Sequence, residues 1–408
     1  MMVDFYIVFL WFRSKIVRVT MKIFNTLLNQ NVDFKPDKLV KIYVCGITPY
    51  SSAHLGHIFT FMTYDLLQRR LEDLGHDVRM VRNITDVDEP LYIKANELKI
   101  NYLQLAEQEI ASFNQNLTKL NFRPVYAEPR ASQYIDKIVE ANKIISKNGF
   151  SYKLNDDLYF EASKTHAFGE LLNQDMKLKL KLLKMRGGNP ELTSKHNALD
   201  FLLWKGIKDA NDPARWPSSI GIGRPGWHIE CTVMSRDILG ETFDLHGGGA
   251  DLIFPHHESE IAQSMALNGK RPTDTWMHVY PLLLNGEKMS KSLGNMIFAH
   301  DILKKYRPSV LRLALMNYHY RVGGEWQNSF LENANQLYDK LLQSQNKATE
   351  DEANQLLDSV RLALDSDLNT PKILSALERL TKTINQNRLQ TKVQPSLVKA
   401  LDILGINL

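Results

Sequence analysis

Apolar positions change period twice along this chain. At 41–45 (Lys-Ile-Tyr-Val-Cys) they run almost without a break, as in a strand buried on both faces. Residues 46–53, with Pro49 and two serines, read as a turn, and 58–74 carry helical spacing until Gly75 stops them. A second strand, led by Met80 and Val81, runs into Asn83-Ile84-Thr85-Asp86-Val87-Asp88. Residues 93–200 read as mainly helical with short strands near 150–152 and 158–160, which suits an insertion between two halves of a sheet. Past about 330 the pattern is amphipathic and helical, at 327–347, 350–365, 371–387 and 394–404, with Pro371 opening the third segment.

Composition sets bounds. With 408 residues and 44% hydrophobic content the chain can bury one large α/β core plus a small helical domain. A net charge of +4 is too mild to mark a dedicated nucleic-acid module. The densest basic run, 177–186, reads as the solvated face of a half-buried element. Residues 5–12 are apolar, but Asp4 precedes them and Arg13, Lys15 and Arg18 follow. They lack a basic leader and fall short of the ~20 residues of a membrane span. Residues 1–20 are therefore read as an N-terminal extension, with Met21 as an alternative start. A cytoplasmic enzyme with no membrane partner is expected. Only two cysteines, Cys45 and Cys231, exclude a disulfide framework and fit a reducing compartment.

Candidate chemistry concentrates in three segments. His54-Leu55-Gly56-His57 stands at a helix start, where imidazoles can donate to phosphate beside the positive helix end. Gly56, lacking a side chain, leaves room for a base or ribose. More than two hundred residues on, Gly286-Glu287-Lys288-Met289-Ser290-Lys291-Ser292 carries two lysines that can follow charge onto a departing pyrophosphate during in-line attack at an α-phosphate. Cys45, Cys231 (in Gly226-Trp227-His228-Ile229-Glu230-Cys231), His256 and Glu260 supply two thiolates, an imidazole and a carboxylate, a donor set suited to zinc. The last two are four apart, on one face of a helix expected after Pro255.

The two phosphate-handling motifs, in this order, resemble those of the class I aminoacyl-tRNA synthetase superfamily. That resemblance implies an α/β fold: a Rossmann-like parallel sheet with ATP at its carboxyl edge, a helical insertion and a C-terminal helical bundle. The cysteine segments are similar to the zinc site of cysteinyl-tRNA synthetases and of their relative, the mycothiol cysteine ligase. In those enzymes the metal takes the substrate thiol as a ligand, which separates cysteine from serine. The resemblance implies His54, His57, Lys288 and Lys291 as catalytic residues. It implies adenylate and cysteine contacts from Cys45, Gly46, Ile47 and Thr48, from Gly56 and Thr60, and from Asn83, Ile84 and Thr85. Trp227 would wall the cysteine pocket, Gly249, Ala250 and Asp251 would approach the adenosine, and Leu282, Ser290 and Ser292 would complete the contacts. Zn2+ and Mg-ATP are the implied cofactor and cosubstrate.

For the acceptor, several segments resemble the mycothiol ligase branch. They are Cys45-Gly46-Ile47-Thr48-Pro49-Tyr50, the Pro90-Leu91 pair, Arg186-Gly187-Gly188-Asn189-Pro190, Trp216-Pro217-Ser218 and Glu325-Trp326. Glu260, His246 and Asp200-Phe201-Leu202-Leu203-Trp204-Lys205 resemble the tRNA enzymes instead. The amine of a glucosaminyl-inositol is the expected acceptor, with tRNA as the alternative. His54 and Asp251 are the candidates for taking the amine proton. The implied organisation is a catalytic domain over 21–330 with its insertion at about 93–200, then a helical stem-contact-like domain over 331–408 with no anticodon-reading module.

Overall fold

A computed structural model describes residues 20–289, 294–384 and 392–408. The N-terminal extension over 1–20, with its apolar run at 5–12, and the positions Ser290, Lys291 and Ser292 thus lie outside the described residues, Thr20 excepted.

A hairpin of β1 (Met21–Asn25) and β2 (Gln30–Phe34) leads into β3 (Leu39–Ile47), α1 (Leu55–Asp73) and β4 (Asp77–Ile84). The insertion follows: α2 (Glu89–Leu98), α3 (Tyr102–Lys119), α4 (Ile135–Lys147), β5 (Ser151–Leu154), β6 (Asp157–Phe160), α5 (Met176–Met185), β7 (Phe201–Gly206) and β8 (Gly223–Pro225). The chain returns through α6 (Trp227–Leu239), β9 (Leu245–Gly249), α7 (Glu258–Asn268) and β10 (Trp276–Val279). Short strands β11 (Leu282–Leu284) and β12 (Glu287–Lys288), helices α8 (Ala299–Ile302) and α9 (Pro308–Leu315), and β13 (Gly324–Glu325) precede α10 (Ser329–Ser344), α11 (Glu350–Asp365), α12 (Thr370–Thr383) and α13 (Pro395–Leu404).

The central sheet is parallel, in the order β10-β9-β3-β4. Because β3 pairs with β4 on one side and β9 on the other, the strand order reverses at β3. A crevice opens at such a switch point, at the carboxyl ends of β3 and β9. Cys45 lies at the end of β3, and His246 and Gly249 lie on β9.

Helix α1 begins three residues before the expected 58, because the His54 side chain caps it by accepting from the Gly56 N–H at 3.0 Å. Its apolar residues are buried all round, so it is a core helix. Asp65 on α1 is sunk with two guanidinium groups, Arg69 at 2.9 Å and Arg312 of α9 at 2.6 Å. Arg69 and Arg312 also donate to the backbone carbonyls of Asp402 and Leu404 in α13.

Packing runs across two of the expected boundaries. The insertion does not close at 200: β7 and β8 complete the antiparallel sheet β5-β6-β7-β8, with Tyr159 paired to Leu202 and Trp204 to Pro225. Nor does residue 330 separate two cores. One apolar cluster runs from Met21 through α1 and α9 to Ile406, and Arg70 of α1 bonds both oxygens of Asp365 in α11. The four tail helices match the expected segments closely, with a Thr349–Glu352 capping box opening α11. The third stops at Thr383, and 385–387 lie outside the described residues.

Candidate active site and metal centre

The histidine turn and the lysine loop are stitched together by backbone. The Leu55 N–H donates to the Ile297 carbonyl at 2.8 Å, the Ala299 N–H donates to the Ala53 carbonyl at 3.2 Å, and His54 pairs with Phe298. The chain leaving the lysine loop therefore runs beside the start of α1. The His54 and His57 rings stack at 3.9 Å. Burial, then the neighbouring His57 and Lys288, push His54 down to about 2. Burial also takes His57 to about 4, with Asp251 opposing and Lys288 reinforcing. Both rings are therefore neutral N–H donors. His54 accepts from Gly56 on Nδ1, which leaves its proton on Nε2. The His57 Nδ1 is buried with no hydrogen-bond partner among the described residues.

Lys288 on β12 reaches Asp251 at 2.7 Å, and Arg186 reaches the same carboxylate oxygen at 2.9 Å. Burial raises the Asp251 carboxyl, but the two cations outweigh it and hold the group below its usual range. The Glu325 carboxylate accepts from the N–H groups of Asn285 and Gly286 and fixes the base of the lysine loop.

The four sequence-named metal ligands converge. Cys45, Cys231, His256 and Glu260 are buried, and their donor atoms all lie within 4.8 Å of one another. The sulfurs are 3.8 Å apart, His256 Nε2 is 3.3 Å from Glu260 Oε1, and Cys45 Sγ is 3.8 Å from that oxygen. Tetrahedral zinc with bonds of ~2.3 Å to sulfur and ~2.0–2.1 Å to nitrogen and oxygen has edges of about 3.8, 3.3 and 3.6 Å. The donor set thus fits zinc in both chemistry and spacing. Burial, then Cys231 and Glu260, holds the Cys45 thiol well above its ordinary range, a repulsion that a cation would relieve. Both cysteines are free thiols.

A histidine network that sequence reading did not assemble surrounds this cluster. His256 Nδ1 meets His228 Nδ1 at 2.9 Å, and His246 Nε2 meets Glu260 Oε2 at 3.0 Å. His257 Nε2 approaches Cys45 Sγ at 3.3 Å, and its Nδ1 meets His278 at 2.7 Å. Cys45, His246, His257 and Glu260 form a second compact donor set, so Cys45 and Glu260 belong to both. His228 and His246 belong to residues named from the sequence and His257 adjoins His256, but only the sheet brings His278 alongside. Helix α7 starts at Glu258, later than expected after Pro255; His256 and His257 occupy a wide turn, Ile253–His257, that precedes it. Trp227, the first residue of α6, stacks on His256 at 4.3 Å and 26° and so walls the cluster.

Several of the residues expected to touch adenylate also hold the protein's own structure together. A Cβ on Gly46 would lie 1.7 Å from the Asn83 carbonyl oxygen, and its N–H donates to the Asn83 side chain at 2.8 Å. Asn83 also donates to Thr85, whose N–H bonds the Ile47 carbonyl. Ile47 and Ile84 are buried in the strands. Over Gly56 the nearest atoms belong to the His54 ring, at 2.8 Å, so this glycine makes room for the cap. Thr60 donates to the Gly56 carbonyl in its own helix, while Thr48 donates to Asp88 at 3.2 Å. In His246-Gly247-Gly248-Gly249 the glycines first accommodate protein: a Cβ on Gly247 would meet the Tyr64 ring at 2.4 Å, and one on Gly249 the Asp251 carboxylate at 2.5 Å. The Tyr64 hydroxyl in turn joins β9 to the Met277 carbonyl of β10 at 2.7 Å. Ala250 is half-buried beside Asp251, and Leu282 is buried on β11.

A parallel sheet with paired phosphate motifs at its carboxyl edge defines a class I synthetase fold. The pattern described as tRNA synthetases class I (C) catalytic domain matches residues 31–336. The chain is 39% identical over 376 residues to an L-cysteine:1D-myo-inositol 2-amino-2-deoxy-alpha-D-glucopyranoside ligase from Nocardiopsis dassonvillei, covering 91% of this chain and 92% of that one. It is 38% identical over 411 residues to a cysteine–tRNA ligase from Methanococcus maripaludis, covering 95% and 85%. Methionyl-tRNA synthetase of Mycobacterium tuberculosis with methionyl-adenylate shares the fold, with a TM-score of 0.59 at 15% identity over 83% of this chain and 82% of that one. The chain belongs to the cysteinyl-tRNA synthetase and mycothiol cysteine ligase family, and is an ATP-dependent, AMP-forming cysteine ligase. Among the described residues no helix is long and apolar enough to cross a membrane.

Proposed function

We propose that this ligase activates L-cysteine to cysteinyl-AMP and transfers it to the amine of a glucosaminyl-inositol, forming an amide and AMP. Cys45, Cys231, His256 and Glu260 would hold Zn2+, which supplies a Lewis acid that prefers thiolate to the hydroxyl of serine. Trp227, stacked on His256, keeps water from the thiol end. The cysteine carboxylate attacks the α-phosphorus of Mg-ATP as the bond to the β-phosphate oxygen breaks. His54 donates from Nε2 and His57 from its ring, while Lys288, with Lys291, Ser290 and Ser292, follows the negative charge onto pyrophosphate. Asp251 orients Lys288 until nucleotide arrives. The amine nitrogen then attacks the activated carbonyl, AMP leaves, and the amine proton passes to a base; of the two candidates Asp251 has carboxylate lone pairs to offer, whereas His54 keeps its Nδ1 on the Gly56 N–H.

The observation that carries the amine acceptor is the Arg186-Gly187-Gly188 segment. It resembles the mycothiol ligase motif and reaches Asp251 at 2.9 Å. The second reading is charging of cysteine tRNA. It is favoured by Glu260, which stands among the metal donors where the tRNA enzymes have their fourth ligand.

The test offers labelled cysteine, Mg-ATP and zinc-loaded protein with glucosaminyl inositol and deacylated tRNA in parallel. Base-stable label on the amino sugar is expected. Base-labile label on tRNA alone would replace the first reading with the second.

A further inference from the structure

The Arg-Gly-Gly segment is a helix stop that aims an arginine. Helix α5 ends in a paired cap: the Gly187 N–H donates to the Lys184 carbonyl at 3.2 Å and the Gly188 N–H to the Leu183 carbonyl at 3.0 Å. This Schellman arrangement needs a left-handed residue after the cap, and Gly187 has φ +81°. Gly188 must also lack a side chain, since a Cβ there would sit 2.6 Å from Leu183. Leu183, buried with Phe254, clamps α5 onto the turn Ile253–His257. The cap residue is Arg186, whose direction is thus set at both ends of its own turn.

Arg186 stands between the two halves of the site. Its guanidinium bonds the carboxylate that also holds Lys288 of the phosphate loop, and the helix it caps packs on the turn that carries His256 of the metal cluster. The thiol end of bound cysteine belongs to that cluster and the phosphates belong to His54, His57 and Lys288. The group lying between must be the cysteine carboxylate facing the α-phosphate. Bringing those two anions together needs a cation with donors in two directions. A planar guanidinium, with Asp251 bonded to one nitrogen, supplies it.

We propose that Arg186 is a catalytic residue of the activation step, bridging the cysteine carboxylate and the α-phosphate as the new P–O bond forms and pyrophosphate leaves. In the unliganded arrangement Asp251 holds Arg186 and Lys288 together, so nucleotide entry that engages Asp251 frees both cations for the reacting centre. This rests on the cysteine-activation reading and adds a residue to it.

The experiment measures cysteine-dependent exchange of labelled pyrophosphate into ATP for the zinc-loaded wild-type protein and for Arg186→Gln and Arg186→Lys. Thermal unfolding and metal content are measured on the same samples. Loss of one donor aimed at developing charge costs roughly 10²–10³-fold in rate. Arg186→Gln is expected to lose about that much in kcat with KM for ATP and cysteine little changed, Arg186→Lys to fall between, and Tm and zinc content to match wild type. Wild-type rates in Arg186→Gln, a rise in KM without a fall in kcat, or a fall tracking lost zinc or a lowered Tm would each overturn the proposal. Normal exchange with failed transfer to acceptor would place Arg186 at the acceptor step and overturn it equally. Absence of exchange in the wild-type protein would instead refute the activation reading beneath it.

Discussion

At the scale of single residues, this site is governed by neutral imidazoles. Burial leaves His54 and His57 uncharged, so in the proposed reaction they would act on phosphate as hydrogen-bond donors beside Lys288. His278 shows what this neutrality does to stability. It is 3% exposed, bridges Thr26 Oγ1 and His257 at 2.7 Å each, and is pushed by burial, then by His246, down to about 3 from an ordinary 6.5. Its folded-state pKa is below its unfolded one, so between those values the unfolded chain binds more protons. Its contribution is complete above pH ~6.5 and is lost as pH falls toward about 3, at up to ~1.4 kcal/mol per pH unit. His278→Gln is expected to flatten the acid limb of stability by about one proton in that window, measured by urea unfolding across pH. An unchanged slope would mean that His278 is charged in the folded protein. The proposed ligands Cys45, Cys231, His256 and Glu260 could be picked out because each sits inside a recognisable segment. His278 was not, since nothing local distinguishes it and only the β9–β10 pairing brings it beside His257.

At the scale of elements, the sequence pattern read periods well and ends poorly. The run at 41–45 marked a buried strand, but pairing with β4 extends it from Leu39 to Ile47. The helix expected from 58 begins at Leu55 because a histidine, an uncommon cap, supplies the acceptor. Glycines have structural reasons that the sequence did not show. Gly46, Gly56 and Gly247 are required by Asn83, His54 and Tyr64, contacts across elements that no local pattern reveals. The buried ion cluster on α1 was equally hidden. Asp65 is the carboxylate shared by Arg69 and Arg312, and these guanidinium groups tie α1 and α9 to α13. Removing one partner of such a group leaves buried charge uncompensated. Asp65→Ala is therefore expected to lose ~3–5 kcal/mol of unfolding free energy in urea titration. A change under ~1 kcal/mol would show that the arginines find other partners.

At the scale of the molecule, the fold gathers three of the candidate segments near the carboxyl ends of β3 and β9. The switch point between β3 and β9 carries Cys45 and the His246 strand, α1 begins beside it with its two histidines, and the wide turn before α7 adds His256. The helical tail packs into the same core as the sheet, so the scaffold under these segments extends to the last helix. In the proposed reaction Cys45, Cys231, His256 and Glu260 form a zinc centre that selects cysteine by its sulfur. Zinc-edge X-ray absorption on the metal-loaded protein, with and without cysteine or serine, tests it most directly. One tightly held zinc is expected, with two sulfur and two nitrogen or oxygen neighbours, rising to three sulfurs with cysteine and unchanged by serine. A protein that binds no zinc, or a sulfur count indifferent to cysteine, would contradict it.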